Sequence, residues 1–176
     1  MKLNEIKWNR VNHGSINIPL IDYLEKIIDK EHNKGIKFKI CIGSDSQKRG
    51  KGYVFATAII MEMKEYNGKI MNKDTYIGRG AKVISGIFYD KIKVSIKERM
   101  LREVQMSIDV AYHILDLIEL YDIELEIHAD INPNPNAGSN LAFKDAVGFI
   151  TGMGFNWKVK PFAYAASSGA DKLCNN

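Results

Sequence analysis

Four acidic residues, Asp45, Glu103, Asp130 and Asp171, are placed along this chain where several carboxylates could meet. Asp45 ends the apolar run Phe38-Lys39-Ile40-Cys41-Ile42-Gly43, and Asp130 ends a second run, Ile123-Glu124-Leu125-Glu126-Ile127-His128-Ala129. Glu103 lies in a long amphipathic stretch, and Asp171 opens the last few residues after Ser168-Gly169-Ala170. Carboxylates at the C-terminal ends of strands in an α/β sheet fall in the crevice where such folds bind ligands. Gathered together, they raise one another's pKa and cannot all ionise cheaply unless a cation sits among them. The pattern points to a divalent-metal site. Ligands that are all oxygen favour Mg²⁺ or Mn²⁺ over zinc.

Each acid also has a purely structural use. An Asp after a strand forms turns or caps helices, and Asp45 has turn-forming neighbours throughout Gly43-Ser44-Asp45-Ser46-Gln47. Chemistry is favoured by coincidence, since Asp45 and Asp130 end two strands that can lie adjacent and parallel. On the long helix, geometry selects one acid. With Met100 at the centre of the apolar stripe, Glu103 lies roughly 60° to one side, whereas Glu98, Asp109 and Asp116 lie roughly 160–180° away. Its structural alternative is a boundary residue paired with Arg99 or Arg102. For Asp171 the alternative is an acid in a first helical turn, stabilised by the dipole.

Other chemistries lack their groups. His128 reads as a packed, hydrogen-bonded strand residue, and His13, His32 and His113 have no metal-ligand spacing. Gly78-Arg79-Gly80 lacks the Lys and Ser/Thr of a phosphate loop. No Gly-x-Ser-x-Gly elbow is present to activate a serine.

The elements that must position the acids follow from periodicity. Ile18, Ile21, Leu24, Ile27 and Ile28 recur at helical spacing, and Gly35 closes that helix. Strands are expected over 37–43 and 53–63, with 44–52 a turn between them. Asn67-Gly68 marks a hairpin into a third strand within 70–84. The period then becomes helical from Ser95 to Leu120, with Ser107 and Ala111 small where the helix meets the sheet. A fourth strand spans 123–129. Ser139 caps a helix running through Met153, a fifth strand spans 155–162, and Ser167-Ser168 caps a short last helix. The order β-β-β-α-β-α-β-α predicts an α/β fold with a mixed five-stranded sheet, three antiparallel strands preceding the parallel ones. Residues 1–176 form a single domain in this reading, with 1–35 a helical extension packed on it.

A chain of 176 residues is long enough to bury one core unaided. A net charge of +4 permits a polyanionic partner without demanding one. Cys41 and Cys174 form no disulfide framework or metal spacing, which suits a reducing compartment. No apolar run reaches the ~20 residues of a membrane span and no leader-like segment opens the chain, so a cytoplasmic location and no membrane partner are expected.

The order of the four acids and the framework resemble the ribonuclease H-like superfamily. More narrowly, Gly43-Ser44-Asp45-Ser46-Gln47, Ile127-His128-Ala129-Asp130-Ile131-Asn132 and Gly148-Phe149-Ile150-Thr151-Gly152-Met153-Gly154-Phe155 resemble the YkuK family of ribonuclease H-like proteins. Lys160-Pro161 and Ala166-Ser167-Ser168-Gly169-Ala170-Asp171-Lys172 do so too, and the resemblance covers about residues 36 to 175. It implies the ribonuclease H-like fold and a nuclease activity; taken with the four acids, the expectation is a metal-dependent nuclease acting on RNA, RNA/DNA hybrid or structured DNA. In that role Asp45 bridges two ions, Glu103 and Asp130 hold one, and Asp171 completes the other. Arg79, Lys82, Lys91, Lys93, Arg99 and Arg102 are candidates for phosphate contacts, as is the helix start near Ser139. The rival expectation is a catalytically silent module of the same fold that binds nucleic acid or a partner enzyme.

Overall fold

Two long strands, buried on both faces through their middles, build the centre of the molecule. In the computed structural model, which describes residues 3, 6–10, 14–66, 68–70, 81–91 and 94–175, β3 (Ile36–Arg49) and β4 (Gly52–Tyr66) form an antiparallel pair. Around them stand β1 (Lys7–Arg10), β2 (Gly14–Ser15), β5 (Lys69–Ile70), β6 (Lys82–Asp90), β7 (Glu124–Ala129) and β8 (Asn156–Lys158). The sheet order is β2-β1-β6-β4-β3-β7-β8, with β5 paired to β4 alone. The neighbouring pairs β3–β7 and β7–β8 are parallel and the others antiparallel.

The sheet is therefore α/β and mixed, as its sequence indicates, but it has eight strands among the described residues rather than five. The five expected strands are β6, β4, β3, β7 and β8. The extra strands come from short segments whose polar residues hide their pairing. Lys7–Arg10 pairs with β6 and is sealed by the buried Trp8, so the first 35 residues contribute two strands as well as a helix. The third strand lies at 82–90, later than expected. Asn67, residues 71–80 (with Gly78, Arg79 and Gly80), Lys93 and His13 lie outside the described residues.

The helices are α1 (Leu20–His32), α2 (Ile96–His113), α3 (Leu115–Leu120), α4 (Phe143–Gly152) and α5 (Asp171–Asn175), the last continuing a π-helical stretch over Ala165–Ala170. Ser95 starts α2 with a capping box: its hydroxyl accepts from Glu98 N, and the Glu98 carboxylate accepts from Ser95 N. That commits Glu98 to the solvent side. Ile40 and Ile42 of β3 pack with Met100, Val104 and Ile108 of α2 in the main core. A fully buried side chain of this size contributes about 1.5–3 kcal/mol. Alternate residues of β3 face the other way, where Cys41 packs with Ala165 and Gly43 lies under Ala166. Four helices thus cover one face of the sheet, and the small-residue segment 163–175 crosses the other.

Two turn assignments change. Residues 44–49 stay in β3, because Ser44, Ser46 and Thr57 satisfy their buried hydroxyls against one another and against α2 rather than turning the chain. Ser139 does not cap α4. Its Oγ accepts from Asn132 N, and a 3-10 stretch over Gly138–Ala142 leads into the helix instead.

Candidate functional site

Asp45 is not at the end of its strand. It lies within β3, opposite Ala56 of β4, one residue past the last β3–β7 pair, Ser44 with Ala129. Asp130 is likewise one residue past that pair. Because β7 stops while β3 continues, the sheet has a notch, and both side chains emerge beside it on the face crossed by the C-terminal segment. Asp171 reaches the same place from α5, where Gln47 Nε2 donates to its Oδ1 at 3.2 Å.

Glu103 comes from the opposite face. Ser107 Oγ donates to the Glu103 carbonyl at 3.2 Å and bonds Ser44 Oγ at 2.9 Å, which in turn bonds Thr57 Oγ1 at 2.8 Å. This hydroxyl chain fixes the turn of α2 that carries Glu103 against β3. Glu103 is only 5% exposed, and Ser46 Oγ donates to its Oε1 at 2.6 Å. Arg99 Nη1 donates to Ser46 O and Oγ at 2.6 and 3.0 Å and stands 3.4 Å from Glu103 Oε1. The helical phase expected from the sequence is observed: Glu98 and Asp116 are exposed and Asp109 is bonded to Gln105.

The charges of Asp130 and Asp171 act on Asp45, and those of Asp45 and Asp130 act on Glu103. Burial is the main reason Asp45 is raised to about 6, with the charges of Asp130 and Asp171 adding to it against the Ser46 N–H and Arg99. Burial also raises Glu103 to about 8, opposed by Ser46 and Arg99 and assisted by Asp45 and Asp130. Asp130 Oδ2 pairs with Lys160 Nζ at 3.0 Å, but its Oδ1 is buried with no hydrogen-bond partner among the described residues. An orphaned carboxylate oxygen is costly, and it is a free ligand atom for a cation. All-oxygen donors, two of them at raised pKa, suit a hard divalent cation.

A model of the ribonuclease H-like family matches residues 20–175. The chain belongs to that family. No curated protein and no solved structure matches it. Membership points to a nucleic-acid-related function, and the matched span begins at α1, leaving β1 and β2 as additions before it.

In this ribonuclease H-like chain the tightest group of potential metal ligands is a different one. Among the described residues, Cys41, Glu126 and His128 bring three ligand atoms within 4.8 Å, all buried. The group could hold a metal, yet its hydrogen bonds already use it. Ala165 N donates to His128 Nδ1 at 3.1 Å, so the ring proton belongs on Nε2, which stands 3.3 Å from Glu126 Oε2. Lys39 lies 2.6 Å from the same carboxylate oxygen. Cys41 Sγ and Tyr164 Oη are 3.0 Å apart, and burial pushes that thiol up to about 11. A cation on Nε2 would need the proton moved to Nδ1, against the Ala165 N–H. The arrangement ties residues 164 and 165, and through them the segment bearing Asp171, to the sheet.

The groups that hold the acids were not singled out by the sequence: Ser46, Gln47, Lys160 and Cys174. Cys174 Sγ donates to Asp45 O at 3.3 Å, with burial pushing its thiol to about 12, and Arg49 Nη2 donates to Cys174 O at 3.0 Å. Ser46, Gln47 and Lys160 fall within motifs that carry the family resemblance, though with no role assigned to them; Cys174 does not. Among the expected phosphate contacts, Arg99 stands at the site. Arg102 pairs with Asp90 at 2.5 Å, and Lys82, level with Met61 far down the sheet, pairs with Glu31 at 2.7 Å. Lys91 is exposed. No helix among the described residues is long and apolar enough to cross a membrane.

Proposed function

We propose that the chain is a metal-dependent nuclease that hydrolyses phosphodiester bonds at Asp45, Glu103, Asp130 and Asp171. The observation that carries this reading is the convergence of four carboxylates, from β3, α2, the end of β7 and α5, on one notch of the sheet. Mg²⁺ or Mn²⁺ bound there would supply an activated water and stabilise the leaving oxygen. The chain's own residues prepare that chemistry. Asp45 and Asp130 stand side by side where the parallel strands part, and Asp171 approaches from the segment pinned by His128. Ser46 and Arg99 hold Glu103 toward the same rim.

One feature supports a second reading, a silent nucleic-acid-binding module. Glu103, Asp130 and Asp171 already have partners in Arg99, Lys160 and Gln47, and the four acids do not close into a group within 4.8 Å. Like charges without a counter-ion repel, so an open arrangement is also what an enzyme without its cation would adopt. Cleavage decides between the two. RNA, DNA, hybrid and junction substrates should be screened with Mn²⁺ and Mg²⁺ and with chelator. Metal-dependent products are expected from at least one, lost in Glu103→Gln and kept in Glu98→Gln. Equal activity of the two variants would remove Glu103 from the site.

Cation binding should also be linked to pH. Raised carboxyl pKa values mean that the folded chain without metal holds extra protons. Their stabilisation is fully present below the unfolded values of 3.8 and 4.5, and is lost as pH climbs through about 6 for Asp45 and about 8 for Glu103. A cation must displace those protons. Calorimetric titration with Mn²⁺ near neutral pH, in buffers of different ionisation enthalpy, should therefore show proton release, with affinity rising from pH 5 to 8. At 100 times the dissociation constant Mn²⁺ should add about 2.7 kcal/mol of stability. Binding with no proton release and no pH dependence would mean that these two acids are not its ligands.

A further inference from the structure

Beside the acidic notch lies an open cleft of about 710 Å³ lined by Asn132, Pro133, Asn134, Lys160, Pro161 and Ser167. Its volume is within the range of small-molecule sites, roughly 300–1,000 Å³. One wall is the loop after β7, the other the segment after β8 and the start of the C-terminal helix. Lys160 N donates to Ile131 O at 3.1 Å, which joins the two walls.

The loop wall is held by its own polar groups. Asn132 Oδ1 accepts from Asn134 N at 2.9 Å, and Asn134 Oδ1 accepts from Asn136 N at 3.0 Å. Asn140 Nδ2 donates to the Pro133 carbonyl at 2.9 Å, and Ser139 Oγ accepts from Asn132 N at 2.9 Å. Each asparagine oxygen has one of its two lone pairs engaged, and the NH₂ groups of Asn132 and Asn134 add donors for a ligand. Ser167 Oγ spends its proton on Ala163 O at 3.0 Å and retains acceptor capacity. Lys160 supplies a cation and is tied to the notch through Asp130 Oδ2. Two proline rings give flat apolar surface between these groups.

Amide donors, one ammonium, one hydroxyl acceptor and apolar ring faces complement a nucleotide, which has a flat base with a polar edge and an anionic phosphate. An unpaired base fits best, because a base within a duplex hides its Watson–Crick edge and both of its faces. We propose that this cleft binds the nucleotide next to the scissile phosphate of a single-stranded segment, with Lys160 transferring its charge from Asp130 to that nucleotide's phosphate. This rests on the nuclease reading, and it adds that the substrate is unpaired at the site.

The ion pair has a consequence for cations as well. Lys160 competes with any metal for Asp130, so a strand that draws Lys160 away makes Asp130 a better ligand. Substrate and cation then favour one another's binding, by the reciprocity that links any two sites.

Fluorescein-labelled single-stranded RNA and DNA oligonucleotides, with Ca²⁺ in place of Mg²⁺ to hold back turnover, test the cleft. Asn134→Asp keeps the oxygen that Asn136 N needs but replaces the donor with an anion, and Lys160→Gln removes the cation. Each should weaken oligonucleotide binding about tenfold or more. The melting temperature should stay near that of wild type, and stabilisation by Mn²⁺ should be kept in Asn134→Asp and kept or increased in Lys160→Gln. If the wild type binds single strands and either variant binds them as tightly, the cleft is not the subsite, while the nuclease reading stands. Binding or cleavage confined to fully paired duplex also overturns the cleft alone. If no nucleic acid of any class binds although Mn²⁺ stabilises the fold, the nuclease reading fails and the cleft with it.

Discussion

Gly43→Ala is expected to lower stability by about 3 kcal/mol, the upper part of the range for overpacking, and to loosen the C-terminal segment. A Cβ at Gly43 would lie 2.7 Å from the Ala165 carbonyl carbon and 2.8 Å from Ala166 Cα, and closer still to Ala166 N. These are backbone atoms, so no side chain can rotate away. The segment has to lift, and the Ala165 N–H bond to His128 and the seating of Asp171 lift with it. At about 2–4 °C per kcal/mol for a chain of this size, the melting temperature should fall by about 6–12 °C. Trypsin should cut sooner at Lys158 and Lys172. Gly148→Ala is the control. Gly148 lies in α4 with open space around it, and alanine there should be neutral or slightly stabilising. If Gly43→Ala melts like wild type and resists trypsin equally, the close seating of the segment on β3 is not what holds Asp171.

That contact also explains what the sequence could and could not say. The small residues of Ala163-Tyr164-Ala165-Ala166-Ser167-Ser168-Gly169-Ala170 announce a close approach, and there is one, but the approaching backbone is the chain's own strand at Gly43 and Ala58. Composition reveals that space is needed without naming its occupant. Apolar runs gave β3, β4 and β7, which are buried on both faces, and the helical period gave α1 and the phase of α2 that puts Glu103 inward. Local pattern failed at Ser44-Asp45-Ser46. Those residues read as a turn because their types are turn formers, whereas hydroxyl pairing with Thr57, Ser107 and Glu103 keeps them in the strand. Such pairing joins residues as far apart as 46 and 103, which no local window can register. The strands β1 and β2 were hidden for the same reason, since β2 pairs with β1 and β1 with β6, which lies about 75 residues further along the chain.

The four acids were legible as types and order, and their partners were not. Lys160 reaches Asp130, and Cys174 reaches the Asp45 carbonyl, only because a parallel crossover and a returning helix bring them there. Those partners matter to the chemistry. The acids are held apart by this chain's own donors and would be drawn together by a cation, so removing one charge should separate stability from function.

Asp130→Asn should do so most sharply. Asp130 sits near Asp45 and Glu103 with a buried oxygen that has no hydrogen-bond partner among the described residues, and its charge contributes to the raised pKa of both neighbours. An uncharged amide removes that repulsion and the cost of an unsolvated charge. What is lost is the pair with Lys160, whose ammonium is 43% exposed and which is worth at most about 1 kcal/mol. Asparagine keeps the shape and can still present its oxygen to Lys160. At neutral pH the metal-free melting temperature should equal or exceed that of wild type, and the Asp45 pKa, followed by carboxyl NMR, should move down from about 6 by the share that Asp130 adds, with burial and Asp171 still holding it above its ordinary value of 3.8. With Mn²⁺ the order reverses. Wild type should gain stability and the variant little, and cleavage should drop by more than about a hundredfold, beyond the 10–100-fold effect of disturbing a ligand's support. An Asp130 that served only to shape the loop after β7 predicts the opposite pattern, a less stable protein that still binds Mn²⁺ and still cleaves. Melts with and without Mn²⁺, run beside cleavage assays on the same preparations, distinguish the two. A destabilised but active Asp130→Asn would take Asp130 out of the metal site and leave the notch without the orphaned oxygen that argues for one.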